Sequence, residues 1–314
     1  MEFSHRSVLL WECIEALNIR PDGVYLDGTL GGGGHAEEIL KASGPDGRLL
    51  GLDRDPDAIA RCTKRLAPYG NRAVLVHSDF ASLAQAAAQA GFTAFDGILF
   101  DLGVSSFQLD EPDRGFSFLH EGPLDMRMDC TKGRTAADWI AGFGDDWRGL
   151  AQLLRDFGEE PQAGRIAKSI LEEQKRSPIT TTTRLAEIIE RAVGGRRGAP
   201  RHPATCSFQA LRIAVNAEFE QIETALEAAI GRLAPNGVLA VISFHSMEDR
   251  IVKHIFREHE GKMISLPQGG ARYEGRAPRV VRLNRHTIAP SETECAENPR
   301  ARSAKLRAVR RIED

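Results

Sequence analysis

Long apolar runs are missing from this chain of 314 residues. No stretch approaches the roughly 20 apolar residues a bilayer crossing needs, which excludes a membrane span. The opening M-E-F-S-H-R-S-V-L-L lacks the basic region and long apolar stretch of a secretory leader, so a cytoplasmic location is expected. Cysteine is scarce. The five (Cys13, Cys62, Cys130, Cys206, Cys295) are far apart, odd in number and never in a C-x-x-C pair, which argues against a disulfide framework or a zinc knuckle. His202 and Cys206 stand four apart without a second ligand pair nearby, so no metal is expected. A strong charge of one sign is also lacking: the formal net charge is −3. The distribution is less even than the sum. Between Gly261 and Arg311 twelve Lys and Arg face four Glu, and Arg191 to Arg201 holds four arginines among Gly and Pro. Such clusters are usually a solvated face, yet arginine beside glycine in loops also suits phosphate contact.

What is present is the composition of a globular protein, 42% hydrophobic and 27% charged, with length for one large domain or two ordinary ones. Strand and helix patterns alternate at first. Val24 to Leu26 suit a buried strand, Ala36 to Lys41 a helix, Gly47 to Asp53 a strand and Pro56 to Leu66 a helix with Pro in its first turn. Arg72 to His77, Ala81 to Ala90 and Phe95 to Phe100 continue as strand, helix and strand. This run predicts an α/β fold with a parallel sheet covered by helices on both faces. From Gln108 to about Arg201 only helical stretches appear: Thr135 to Ala141, Trp147 to Phe157, Pro161 to Gln174 and Thr183 to Val193. A single long amphipathic helix is then expected from Phe208 to Leu233, closed by Pro235-Asn236-Gly237. A strand from Gly237 to Ser243 and a helix from Met247 to Glu258 resume the earlier pattern, and Arg279 to Leu283 and Ser303 to Arg310 read as polar edge strands. The expected organisation is a discontinuous sheet domain, 1–107 with 208–314, and an inserted helical domain, 108–207.

The most informative segment is Y-L-D-G-T-L-G-G-G-G-H, from Tyr25 to His35. Strand, glycine turn and helix let backbone N–H groups approach a polar ligand closely. Asp27 ends the first strand, with Gly31, Gly33, Gly34 and His35 in the turn. Asp53 ends the second strand, 26 residues on, where a carboxylate in doubly wound folds faces a ribose. Asp79-Phe80 after the third strand suits the edge and face of an adenine, although Phe80 could equally be core. The glycine spacing does not match the NAD fingerprint, and the lysine of a nucleotide-phosphate loop is missing. A ligand with adenosine but no pyrophosphate remains, which points to S-adenosylmethionine. Asp101 and the Gly103-Val104-Ser105-Ser106 turn close the fourth strand, beside that ligand's reactive end. For His245, alone at a strand end, a structural hydrogen bond is as reasonable as a catalytic role.

Several motifs together resemble the bacterial 16S ribosomal RNA cytosine-N4 methyltransferases, the RsmH (MraW) family. They are Asp27 to His35, D-R-D-P at Asp53 to Pro56, D-L-G-V-S-S at Asp101 to Ser106, R-G-F-S-F at Arg114 to Phe118 and P-L-D-M-R-M-D from Pro123 to Asp129. F-Q-A-L-R-I-A-V-N from Phe208, V-I-S-F-H-S-M-E-D-R-I-V-K from Val241, N-P-R-A-R-S-A-K-L-R-A from Asn298 and H-R-S-V-L-L at His5 to Leu10 extend the likeness over nearly the whole chain. The resemblance implies a Rossmann-like S-adenosylmethionine-dependent methyltransferase with an inserted helical domain for substrate RNA. The substrate it implies is a decoding-region cytidine, conventionally numbered 1402, in 16S rRNA of the small ribosomal subunit. The family's cofactor positions fall on Gly33, Gly34, His35, Asp53, Phe80, Asp101 and Gln108. The family pattern T-R-T-F-Q is broken here by Cys206, so an arginine role there does not carry over. The segment Lys262 to Ala277 is assigned nothing, and a homodimer is left open.

Cytosine N4 is a poor nucleophile because its lone pair is delocalised into the ring, so an acceptor must hold the amino group. Asp101 is the candidate, and orienting the cofactor is its alternative role. Arg114, Arg127, Arg212, His245 and Arg250 are candidate RNA contacts, and Phe107, Phe116 and Phe118 candidate stackers for a base drawn from its stack. An NAD-dependent oxidoreductase, a cofactor-free RNA-binding assembly factor and a DNA cytosine-N4 methyltransferase are the competing readings.

Overall fold

The structure, a computed structural model, describes residues 7–313 apart from 197, 199, 200, 266, 267, 269, 270, 275 and 276. His5 and Arg6 of the N-terminal motif, and Arg197 and Arg276 of the basic clusters, lie outside the described residues. The chain divides into two compact units, one of residues 1–103 with 219–314 and one of residues 104–218. The second is wider at both ends than the expected 108–207.

The first unit begins with helix α1 (Leu10–Leu17), which the sequence pattern had not suggested and which buries Cys13 and Leu17. There follow β1 (Val24–Asp27), α2 (Gly34–Ala42), β2 (Arg48–Asp53), α3 (Pro56–Leu66), β3 (Ala73–His77), α4 (Leu83–Gln89) and β4 (Phe95–Asp101). Local chemistry sets these boundaries. Asp55 caps α3 by accepting the Asp57 N–H, and Pro56 occupies the first turn, where its missing N–H costs nothing. The strands read as unbroken apolar runs because the sheet is covered on both faces.

The second unit is helical: α5 (Ser106–Asp110), α6 (Ala136–Gly142), α7 (Trp147–Gly158), α8 (Ala163–Arg176), α9 (Thr182–Val193) and α10 (Thr205–Asn216). Capping boxes start α5 (Ser105 with Gln108) and α6 (Thr135 with Asp138). Leu150, Leu154, Ile166, Ile170, Ile188 and Ile189 belong to a core of its own.

The expected single helix from Phe208 to Leu233 is two helices, α10 and α11 (Glu218–Arg232). Ala217 turns left-handed, with φ 47°, between them. Asn216, which a continuous amphipathic helix would leave to an apolar side chain, is buried instead as a connector. Its Nδ2 donates to the Met126 carbonyl at 2.7 Å and its Oδ1 accepts the Met128 N–H at 2.8 Å.

The sheet resumes with β5 (Leu233–Ser243), α12 (Ser246–Glu260), β6 (Lys262–Ser265), β7 (Ala271–Glu274), β8 (Val280–Arg282), α13 (Glu292–Glu297) and β9 (Lys305–Arg311). β5 starts earlier than expected. Phe95 pairs with Leu233 and Gly97 with Val238, so residues 234–237 bulge out of the ladder at Pro-Asn-Gly rather than simply ending a helix. The seven-stranded order is β3-β2-β1-β4-β5-β9-β8, parallel through β5 and antiparallel where β9 meets β5 and β8, while β6 and β7 form a separate hairpin. One core layer contains Leu26, Ile98, Phe100 and Val241, and the other Leu49, Leu99, Ala240 and Ile242. Among the described residues no helix is long and apolar enough to cross a membrane.

Candidate active site

In the order β3-β2-β1-β4-β5 the direction of winding reverses between β1 and β4. Doubly wound sheets bind ligands at the carboxyl ends of the strands beside that reversal. The glycine turn leaves β1 there and Asp101 ends β4 there. Gly31 and Gly33 have φ of 50° and 78°, a region that favours glycine. A Cβ on Gly33 would stand 3.0 Å from Cys62 Sγ. The turn is held from outside as well. Gly31 N–H donates to Asp53 Oδ2 at 2.8 Å, and Arg65 Nη1 donates to the Gly32 carbonyl at 2.8 Å. Sequence reasoning missed Arg65 and Cys62, because they lie on α3 with no motif around them.

Asp53 joins the ends of β1 and β2. Its second oxygen accepts the Asp55 N–H at 2.8 Å, so one carboxylate organises both the glycine turn and the start of α3. Burial pushes Asp53 up to about 6 against the pull of those two N–H donors. Asp27, 1% exposed, accepts the Thr29 N–H at 3.0 Å. Burial, with the Asp53 charge adding to it, raises Asp27 to about 7. Asp101 is driven well above the carboxylate range by burial, then by Asp27 and Glu248. Its backbone N–H donates to the Thr29 hydroxyl at 2.6 Å, which ties β4 to the glycine turn through a residue not singled out beforehand. Asp101 Oδ1 is buried without a hydrogen-bond partner among the described residues. Its Oδ2 lies 3.9 Å from His35 Nδ1. His35 Nε2 meets the Val8 carbonyl at 3.1 Å, so it carries the ring proton, and burial lowers the imidazole to about 4. His35 is therefore neutral at pH 7 and does not offset the carboxyls.

At the end of β3, Asp79 is engaged by Arg54 at 3.1 Å, and the Phe80 ring packs on Phe100 with centroids 5.7 Å apart. At the end of β5, next to β4, His245 caps α12. Its Nδ1 accepts the Glu248 N–H at 3.4 Å and its Nε2 lies 3.0 Å from Glu248 Oε1, so both ring nitrogens face groups of the same helix turn. Glu248, wholly buried, also accepts the Phe244 and His245 N–H groups at 2.8 and 3.1 Å. His245 thus makes the structural hydrogen bond that was one of its two expected roles. Arg250 is exposed on α12. Asp27, Asp53 and Asp101 thus end β1, β2 and β4, with Gly31 and Gly33 in the turn after β1 and Gly34 and His35 opening α2. Burial raises all three of these carboxyls.

The remaining candidates belong to the helical unit. Gln108 is buried and returns its Oε1 to the Ser105 N–H at 3.0 Å. Arg114 Nη2 donates to the Arg127 and Met128 carbonyls at 3.2 and 2.9 Å. Arg127 forms a two-pronged pair with Asp125, both contacts at 2.8 Å. Arg212 forks onto the buried Glu218 at 2.8 and 2.9 Å. These three guanidinium groups therefore brace the unit's own backbone and carboxylates. Phe116 is buried, Phe118 packs between His202 and Phe208 with centroids 4.6 and 4.8 Å away, and Phe107 is exposed. Cys206 sits half-buried in the first turn of α10 and brings no charge. Among the described residues no group of three or more His, Cys, Asp and Glu side chains could hold a metal.

Comparison with known proteins adds the family context. The family model described as the MraW methylase family matches residues 2–312. Three similar proteins carry the name ribosomal RNA small subunit methyltransferase H. The one from Carboxydothermus hydrogenoformans is 46% identical over 312 residues, 99% of this chain and 99% of its own. That from Syntrophotalea carbinolica is 48% identical over 311 residues, 99% of this chain and 98% of its own. That from Symbiobacterium thermophilum is 46% identical over 316 residues, 100% of this chain and 98% of its own.

Proposed function

The chain belongs to the MraW methylase family, and on that premise we propose that it methylates the exocyclic N4 of a decoding-region cytidine in 16S rRNA of the small subunit, with S-adenosylmethionine as donor. The observation that carries the catalytic part is the buried Oδ1 of Asp101 at the end of β4, without a hydrogen-bond partner among the described residues. The site's chemistry fits this cofactor. A methylsulfonium and an ammonium are cations, and the strand-end carboxyls Asp27, Asp53 and Asp101 supply what they need. Gly31, Gly33, Gly34 and His35 form the backbone cradle. Asp53 is assigned to the ribose and Phe80, with Asp79, to the adenine. Gln108 is assigned by the family pattern alone. When bound, the cofactor supplies a methyl group activated by positive sulfur.

The residues of the chain do the rest. Asp101 accepts an N–H of the cytosine amino group, which localises the nitrogen lone pair and fixes the base. As a cation enters, the carboxyls near it release protons, so Asp101 becomes the charged acceptor when the site is loaded. The proton lost from N4 as the methyl group leaves sulfur then has the basic carboxylate oxygen of Asp101 beside it to accept it. Positioning of this kind contributes on the order of 7–11 kcal/mol to lowering a barrier. The helical unit, residues 104–218, is assigned to RNA recognition, and a ribosomal substrate implies a cytoplasmic protein.

Asp101→Ala tests the assignment. Calorimetry should find S-adenosylmethionine still bound, while methylation of small subunits drops by about 100-fold or more, as for loss of a positioned proton acceptor. Transfer at the wild-type rate would remove Asp101 from the reaction.

A further inference from the structure

The basic residues after Gly261 are not explained by the strand-end site. Some of them converge with α12 on a small cleft bordered by Lys253, Arg257, Arg282, His286 and Arg307, with Asn284 and Phe256 completing its wall. All belong to the sheet unit. Lys253 and Arg257 stand four apart on one exposed face of α12 and therefore point the same way. Arg282 lies on β8, Arg307 on β9, and His286 in the connection that follows β8.

These basic side chains differ in what holds them. Arg307 forks onto Asp249, with contacts of 2.7 and 3.1 Å, and Arg282 pairs with Glu260. Lys253, Arg257 and His286 have no ion pair or side-chain hydrogen bond among the described residues. A chain of net charge −3 thus keeps donors without internal partners clustered on one surface, a charge distribution complementary to a polyanion. The cleft is too small for a nucleotide base or a cofactor, its free volume being about 10 Å³. A chain of phosphates passing over it needs no deeper pocket.

We infer that this cleft is a docking surface for the phosphate backbone of the substrate RNA, on the sheet unit and separate from the strand-end carboxyls. The inference rests on the proposed RNA methylation and adds where the sheet unit grips the RNA. Arg114, Arg127 and Arg212, by contrast, donate to acceptors of their own unit. Contacts of this type carry no sequence preference, so they fix the RNA's position rather than select the cytidine.

The test is the variant Lys253→Ala/Arg257→Ala/His286→Ala, measured as the full chain for binding to naked 16S rRNA and to small ribosomal subunits at several salt concentrations. All three side chains are exposed, and an unchanged melting temperature and S-adenosylmethionine affinity will verify the fold. The slope of log affinity against log salt should become shallower by roughly 1.4–1.8, the value for two lost phosphate contacts by Lys and Arg. The KM for RNA should rise at least tenfold while kcat at saturation stays within twofold. An unchanged slope and KM, with wild-type protein methylating RNA normally, would overturn this inference alone. Loss of binding to subunits but not to naked RNA would overturn it in favour of an acidic protein partner. Failure of the wild-type protein to methylate RNA at all would refute the broader reading instead.

Discussion

Asp27→Asn should make the ligand-free protein more stable at neutral pH while weakening its hold on the cofactor. Asp27 is 1% exposed, and burial with the Asp53 charge raises its carboxyl from 3.8 to about 7. The sign follows from proton counting. Between about pH 4 and 7 the unfolded chain has lost this proton and the folded chain still holds it, so stability falls as pH rises through that window and levels off above it. A shift of about three units corresponds to at most about 4 kcal/mol for this group. Asparagine keeps an oxygen for the Thr29 N–H, which Asp27 Oδ1 accepts at 3.0 Å, and removes the charge. Urea unfolding of both proteins at pH 4.5 and pH 8 without cofactor gives the comparison. The variant should gain on wild type by about 2–4 kcal/mol between the two values. Parallel stability curves would refute the reasoning, because they would mean Asp27 titrates alike in the folded and unfolded chain.

Two further expectations come from the same carboxyls. Asp53→Ala removes the acceptor for the Gly31 and Asp55 N–H groups as well as the assigned ribose contact. S-adenosylmethionine affinity should fall by more than about tenfold, about 1.4 kcal/mol or more, and an unchanged affinity in calorimetry would exclude the ribose role. Near pH 6.5, cofactor binding should release protons, because an entering cation lowers the raised carboxyls. Calorimetry in two buffers of different ionisation enthalpy would detect the release, and identical heats in both would contradict it.

Much of the sheet unit was legible because parallel strands buried on both faces read as unbroken apolar runs, and because Asp27, Asp53 and Asp101 fall where those runs stop. Helices α6 to α9 of the second unit were legible to within two residues from periodicity, whereas α5 was not expected and α10 begins three residues before Phe208. The break at Ala217 was not, since alanine favours helix and only the tertiary use of Asn216 turns the chain. Nor could the sequence show that Arg114, Arg127 and Arg212 are matched by acceptors of their own unit. Arg212 and Glu218 are six apart across that break, a spacing a continuous helix would not bring together. Thr29, Arg65 and Glu248 escaped notice for a related reason: each acts through a contact with another element or with backbone, which their place in the sequence does not show. The family resemblance named cofactor positions that spacing alone could not, but it says nothing of how the carboxyls share their protons.

The central claim is methyl transfer to cytidine N4 in the small subunit's RNA. Its most direct test is incubation of the protein with labelled S-adenosylmethionine and small ribosomal subunits, naked 16S rRNA or DNA, followed by nucleoside analysis. Label in N4-methylcytidine from subunits or their RNA is the predicted result. Label only in DNA, or only in a different modified nucleoside, would contradict it.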